Sequence, residues 1–418
     1  MKNNKLIFSS IVLFAILLAL YSISTDLNYR VKIAAWLSIP SKSFVKEHGI
    51  KKIRIQLSEN DELHFKRLYR DYQKEGLGPG NELFKKYYKK NNKWIKTTLV
   101  INEKKFKVKI KSHGKTPWAH KYGNHFSLAI KFQDNPYPFF SKRINLIIYN
   151  RIQLKSDILK LMASKFNLIH PGFELVSCKI GDKVEYLFFI EERINEDFFL
   201  NRNLPMIIFN KGVNGSLFCF DSANSKKQAL KLEKKLSKRT KLSAVLKKLI
   251  KDNYRDINNT IVKKDVEGLK KFIDEDYCAR LNAFRVIYGS DGHGSCNGNF
   301  EMSYDTISHL FYPIAHRDFL TTTLANCQSP YTFMDSTKYI IPFWLILNND
   351  SEFLKITNQK IDKFLLKNNV SSISCEFDEL INYYKASHVF ESSYINNGMN
   401  GTSIIENIEC LNNSHNTK

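Results

Sequence analysis

The chain has 418 residues, 43% of them hydrophobic, which leaves room for two or three lobes with real cores. Its formal net charge is +23, from 64 Lys and Arg against 41 Asp and Glu, and so basic a surface favours phosphorylated ligands, acidic proteins, anionic glycans or lipid head groups. None of the seven cysteines forms a CxxC pair and no aromatic RNP pattern occurs, which argues against a structural zinc site, a dense disulfide scaffold and a nucleic-acid binder.

Lys2 and Lys5 precede an apolar run over residues 6–23. That run is near the lower length for a bilayer-crossing helix. The positive start predicts a single-pass anchor with a cytoplasmic N-terminus and the rest of the chain translocated. A cleaved signal peptide is the competing reading. The segments are then an anchor over 1–25, a juxtamembrane linker over 26–50, a strand-rich part over 51–210, a helical part over 211–390 and a polar tail over 391–418.

Within the strand-rich part, residues 51–57 alternate as a strand should. Ser58 to Asp61 opens a helix running to Glu75, with Leu63, Phe65, Leu68 and Tyr72 on its buried face. Two strands, Trp94 to Ile101 and Phe106 to Lys111, form a hairpin across Asn102-Glu103-Lys104. On the second, Phe106, Val108 and Ile110 share one face and three lysines share the other. Phe126, Leu128, Ile130 and Phe132 alternate again, which places Lys131 on the opposite face. A strand over 143–149 and an amphipathic helix over 155–166 follow. A second hairpin (173–180 and 184–190) turns at Gly181-Asp182, and a short helix spans Glu196 to Leu200.

The helical part begins with a basic helix over 225–252. An apolar helix then carries Tyr277, Leu281, Phe284 and Ile287 into the polar, glycine-rich loop from Asp291 to Asn299. A strand over 300–304 and a strand over 309–314 deliver Asp318. Helical pieces over 339–347, 353–366 and 377–389 complete the part. The whole reads as a two-lobed α+β protein with a cleft between its lobes.

These ordered pieces resemble the spore coat protein H (CotH-like) kinase family. The likeness covers residues 53–319. It rests on Val108-Lys-Ile-Lys-Ser-His-Gly114, His125-Phe-Ser-Leu-Ala-Ile-Lys-Phe132, the segment Tyr186 to Asn195 with Phe198-Phe-Leu200, and the Asp291 loop through Asp318. The resemblance implies an atypical protein-kinase-like fold, with a strand-rich nucleotide-binding N-lobe and a mainly helical C-lobe. It also implies ATP and Mg²⁺ as cofactors, and transfer of the γ-phosphoryl group to a hydroxyl of a protein or cell-surface glycan acceptor.

On this resemblance Asp291 orients the acceptor hydroxyl, and Asn299 and Asp318 are the metal ligands, hard oxygens suited to Mg²⁺. Lys131 or Lys111 pairs with the nucleotide phosphates, although in so lysine-rich a chain a solvated face is an equal reading. Glu192 positions that lysine or the metal, with Glu191 as its rival. The tripeptide His316-Arg317-Asp318 spells an ordinary kinase catalytic loop, but that loop needs an Asn five positions on, where this chain has Thr323. The segment ending at Asp318 also departs from the family's Trp-Asp-x-Asp. An alternative expectation is therefore a catalytically inactive envelope protein that binds an anionic glycan or protein.

Overall fold

The computed structural model describes residues 42–74, 87–113, 121–133, 141–148, 153–210, 242–287, 301–315 and 342–387, apart from positions 89, 123–124, 184 and 369, together with positions 236 and 409. The strands are β1 (Lys51–Gln56), β2 (Ile95–Ile101), β3 (Lys104–Ser112), the two-residue pair β4 (Lys121–Tyr122) and β5 (His125–Phe126), β6 (Leu128–Phe132), β7 (Arg143–Ile148), β8 (Phe173–Ile180), β9 (Tyr186–Glu192), β10 (Met206–Asn210), β11 (Glu301–Asp305) and β12 (Phe311–Ile314). The helices are α1 (Lys42–Glu47), α2 (Glu59–Lys74), α3 (Gln153–Lys165), α4 (Glu196–Leu200), α5 (Ala244–Lys263), α6 (Val266–Lys270), α7 (Glu275–Ile287), α8 (Pro342–Asn348), α9 (Ser351–Lys367) and α10 (Val370–Ser387).

Seven strands close into a barrel in the order β1-β2-β3-β6-β7-β9-β8. All its neighbours are antiparallel except β8 and β1, which run parallel with Ile53 opposite Cys178 and Ile55 opposite Ile180. Strand side chains alternate, so closure sends one set inward on every strand. Ile53, Ile55, Leu99, Val108, Ile110, Leu128, Ile130, Ile144, Leu146, Val176 and Phe188 form that inner set, each no more than 3% exposed.

The turn between β2 and β3 puts Asn102 and Glu103 at φ of 43° and 68°, the left-handed pair that a tight hairpin requires. In the β8–β9 turn Gly181 has φ of +56°, and a Cβ there would overlap the Glu62 carboxylate of α2. Glu62 accepts from the Asp182 N–H at 3.0 Å, so the turn is tied to the helix that packs Phe65 and Leu68 into the core. Leu63, assigned to the buried face of that helix by periodicity, is 40% exposed.

The two-lobed kinase-like expectation is corrected by this closure. The strands do not form an open lobe bordering a cleft, because the parallel β1–β8 pair joins the two ends of the sheet. Strand β10 then pairs with β11, far along the chain, in a second sheet ordered β10-β11-β12. One hydrophobic cluster runs from Val45 through the barrel into α5, α7, α8 and α9 as far as Ile373. Phe166 at the end of α3 stacks on Phe364 of α9 at 4.8 Å and meets Phe284 of α7 edge-on.

The single-pass membrane expectation is corrected as well. Among the described residues no helix is long and apolar enough to cross a membrane, and the apolar run over 6–23 lies outside them. Even the 20-residue α5 has charged residues spaced along it and buries only a stripe of Ile250, Tyr254, Ile257 and Ile261.

One lysine ties the helices together. Lys270, at the end of α6, lies 2.6 Å from Asp350, 3.2 Å from Glu267, 3.4 Å from Glu352 and 3.5 Å from Glu275, and its side chain is 12% exposed. Burial raises the Asp350 carboxyl, but the bond from Lys270 and the Phe353 N–H outweigh it and hold the group below its ordinary 3.8. Removing the cation leaves four carboxylates facing one another. Lys270→Met should therefore lower unfolding stability at pH 7 by about 2 kcal/mol. The parent's ion-pair contribution is complete above pH 3.8 and disappears as pH falls through the folded Asp350 value, so parent and variant should converge in acid denaturant titrations.

Candidate functional site

Closing the barrel leaves the other set of side chains outside, and cross-strand register brings charges from distant segments side by side. Lys96 lies opposite Lys109, Lys109 opposite Lys131, and Lys131 opposite Arg143. Four cations thus form one row across β2, β3, β6 and β7. Neighbouring strands are about 4.8 Å apart, so the row is about 14 Å long. Like charges directly opposite one another destabilise a sheet. Among the described residues, none of the four has a carboxylate partner.

The adjacent row reads Lys111, Ala129, Asn145, Glu191 and Phe173 across β3, β6, β7, β9 and β8. Asn145 and Glu191 are buried at 7% and 5% exposure. The Asn145 amide donates to Glu191 Oε2 at 2.8 Å, while Asn145 Oδ1 is buried with no hydrogen-bond partner. Lys111 Nζ lies 4.9 Å from the centre of the Trp94 ring. Burial, together with the guanidinium groups of Arg193 and Arg143, pushes the Lys111 amine below its ordinary value. A partly desolvated amine that feels two guanidiniums gains from an incoming anion more than a solvated one does.

The end of β9 adds a second buried acid. Glu192 lies on the inward-facing set at the barrel mouth, 6% exposed. Arg202 grips it with two bonds, 2.6 Å and 3.0 Å, and the Gly172 N–H reaches Oε2 at 3.3 Å. His170 lies beside this pair; burial lowers its imidazole, the Pro171 carbonyl raises it and Arg202 lowers it further. The Ser141 hydroxyl lies 3.4 Å from both the Arg193 carbonyl and Asn195 Oδ1, and the Arg193 N–H donates to the Arg143 carbonyl, so the start of β7 is tied to the turn after β9, where Asn195 caps α4 at the Phe198 N–H.

Of the residues predicted for the site, Lys111 and Lys131 stand on the same outer face of the barrel. Glu192 faces the mouth, committed to Arg202, and the acid that shares the face of Lys111 is Glu191. Asp291, Asn299 and Asp318 lie outside the described residues. Their described flanks are close together: β11 begins at Glu301, two positions after Asn299, and Glu301 pairs with Ile314 at the end of β12. The chain leaves β12 at Ala315, whose N–H donates to the Ile169 carbonyl at 2.9 Å, next to His170. Among the described residues no group of His, Cys, Asp or Glu is arranged to hold a metal ion.

Arg143, Asn145 and Arg193 were not singled out from the sequence. They lie within or beside predicted strands, but only the pairing of β7 with β6 and β9 makes them neighbours of Lys131 and Lys111. The chain matches no family model and no curated protein.

The Glu192–Arg202 pair carries a measurable stake. Arg202→Met leaves a buried carboxylate without its cation and should cost about 3 kcal/mol of unfolding stability. The double variant Glu192→Gln, Arg202→Met should lose clearly less than the sum of the two single variants, as read from denaturant titrations.

Proposed function

We propose that the chain is a phosphotransferase of the CotH-like kinase type that holds the triphosphate of Mg-ATP against the outer face of β3, β6 and β7. The observation that carries this reading is the unneutralised row Lys96, Lys109, Lys131 and Arg143, with the desolvated Lys111 beside it. A polyphosphate laid along the row relieves the like-charge opposition and accepts charge-assisted hydrogen bonds from each cation. The buried Asn145–Glu191 pair fixes the floor next to Lys111. The cations fit a triphosphate; the proposed metal ligands, Asn299 and Asp318, are carried by the segments flanking β11 and β12.

In this reading the acceptor hydroxyl bonds to the γ-phosphorus as the bond to the ADP leaving group breaks, and Asp291 takes or orients the hydroxyl proton. Lys111, Lys131 and Arg143 offset charge on the phosphoryl oxygens and keep the chain of phosphates in line. The acceptor is a protein or glycan hydroxyl. A second reading, capture of an anionic glycan or protein without chemistry, is favoured by the openness of the same face, since a closed barrel presents its lysines on a convex surface.

Thermal unfolding of the chain with and without Mg-ATP separates the two. A ligand that binds only the folded form raises stability by about 2.7 kcal/mol at 100 times its dissociation constant. The kinase reading expects a Mg²⁺-dependent rise that Lys131→Gln, Arg143→Gln removes and Asp318→Ala weakens, together with phosphate transfer lost in Asp291→Ala. No rise at millimolar nucleotide, with salt-sensitive binding to anionic polymers intact in Asp291→Ala, selects the second reading.

A further inference from the structure

A second concentration of positive charge lies on the other side of the barrel. Strand β1 is flanked by β2 and β8, and α1 with the turn after it leads into β1. Between them is a pocket of about 910 Å³, within the size range of small-ligand sites. Its walls carry Lys46, Lys52, Arg54 and Lys179, and Val45 and Ile50 supply an apolar part.

The register sets these charges against each other. Arg54 lies directly opposite Lys179 on the parallel neighbour β8, and on its other side it faces Val100 of β2, so no strand neighbour neutralises it. Among the described residues none of Lys46, Lys52, Arg54 and Lys179 has an ion-pair partner. The nearby lysine that is paired, Lys51, is held by Glu174 at 2.6 Å. The wall also carries two acids: Glu185, a carboxylate that accepts from the Ser177 hydroxyl, and Glu103 on the hairpin tip; the cations outnumber them. Gly49, also on the wall, has φ of +59° and open space where a Cβ would stand; its N–H bonds the Lys46 carbonyl, so the turn that brings Lys46 to the rim depends on it.

We infer that this pocket is a second anion site, separate from the β3–β6–β7 face, that takes a phosphate group. Four cations line the pocket against two carboxylates, and the opposition of Arg54 and Lys179 is relieved by an anion seated between them. The same chemistry is offered by a free phosphate compound and by the head group of an anionic phospholipid.

The test uses the full chain with Lys96, Lys109, Lys111, Lys131 and Arg143 all changed to Gln, so that the other face carries none of its five cations. Inorganic pyrophosphate is titrated by calorimetry, and co-sedimentation is measured with phosphatidylglycerol vesicles against phosphatidylcholine vesicles. The inference expects binding to at least one of the two anionic probes, weakened by about tenfold or more when Arg54→Gln and Lys179→Gln are added. Pyrophosphate alone identifies a soluble phosphate ligand; phosphatidylglycerol vesicles alone, or both probes, identify a head-group site. Binding that survives Arg54→Gln, Lys179→Gln unchanged, or no binding to either probe, overturns the inference. Nucleotide binding by the chain with an intact β3–β6–β7 face is unaffected by either result, so failure here is distinct from failure of the kinase reading. Gly49→Val provides a second check, since it should weaken the same binding by straining the turn without removing a charge.

Discussion

The parallel pairing of β1 with β8 is the constraint on which the rest of the structure depends. It is the only parallel contact in the barrel, and it joins a strand at residues 51–56 to one at residues 173–180. Without it the seven strands would be an open sheet with two exposed edges, each a row of unpaired backbone groups. With it, the inward set is mostly apolar, buried Ser112 being hydrogen-bonded by the Tyr88 hydroxyl, and charged residues lie outside or at a mouth. The alternating lysines of β3 therefore have one direction available, and so does Lys131.

The outside is not uniform. On β7, β9 and β8 the outward residues Ile147, Leu187, Phe189 and Phe173 are buried, and α3 packs against β8. On β2, β3 and β6 the outward residues are mostly lysines. Asn145 and Glu191 stand at the border, buried like the covered half but polar like the open half. That position explains how a fixed amide–carboxylate pair and a partly desolvated lysine occur on the same face. Groups held in place before a ligand arrives need no reorganisation to stabilise charge, which is why the proposed phosphate contact is placed at this border. At the mouth, Arg202 satisfies Glu192, so the two consecutive acids of β9 have separate jobs: Glu191 on the outer face and Glu192 at the rim.

Much of the local structure was legible in the sequence, and the assembly was not. The hairpin across Asn102 and Glu103, the strand carrying Leu128 to Phe132, the turn at Gly181 and the helix from Glu196 to Leu200 all follow from period-two alternation, turn residues and capping. Those signals act over a few residues. The β1–β8 pairing joins segments more than a hundred residues apart, and alternation does not say which strand is the neighbour. For the same reason Lys131 and Lys111 were readable as outward lysines, whereas their proximity to Arg143, Arg193 and Asn145 was not. The helix expected over 225–252 falls largely outside the described residues; from Ala244 the described chain is helical and runs past the expected end to Lys263, capped by the Ser243 hydroxyl. Leu63 shows the limit of periodicity on α2: assigned to the apolar stripe with Phe65 and Leu68, it is exposed while they are buried.

The central claim is that nucleotide phosphates lie along the row from Lys96 to Arg143. Amide hydrogen exchange of the full chain with and without Mg-ATP tests it most directly. The account predicts slower exchange confined to β3, β6 and β7 and to the turn after β9, where the phosphates would stiffen an exposed sheet face. Protection centred on β1 and β8 instead, or no change anywhere at saturating nucleotide, would contradict it.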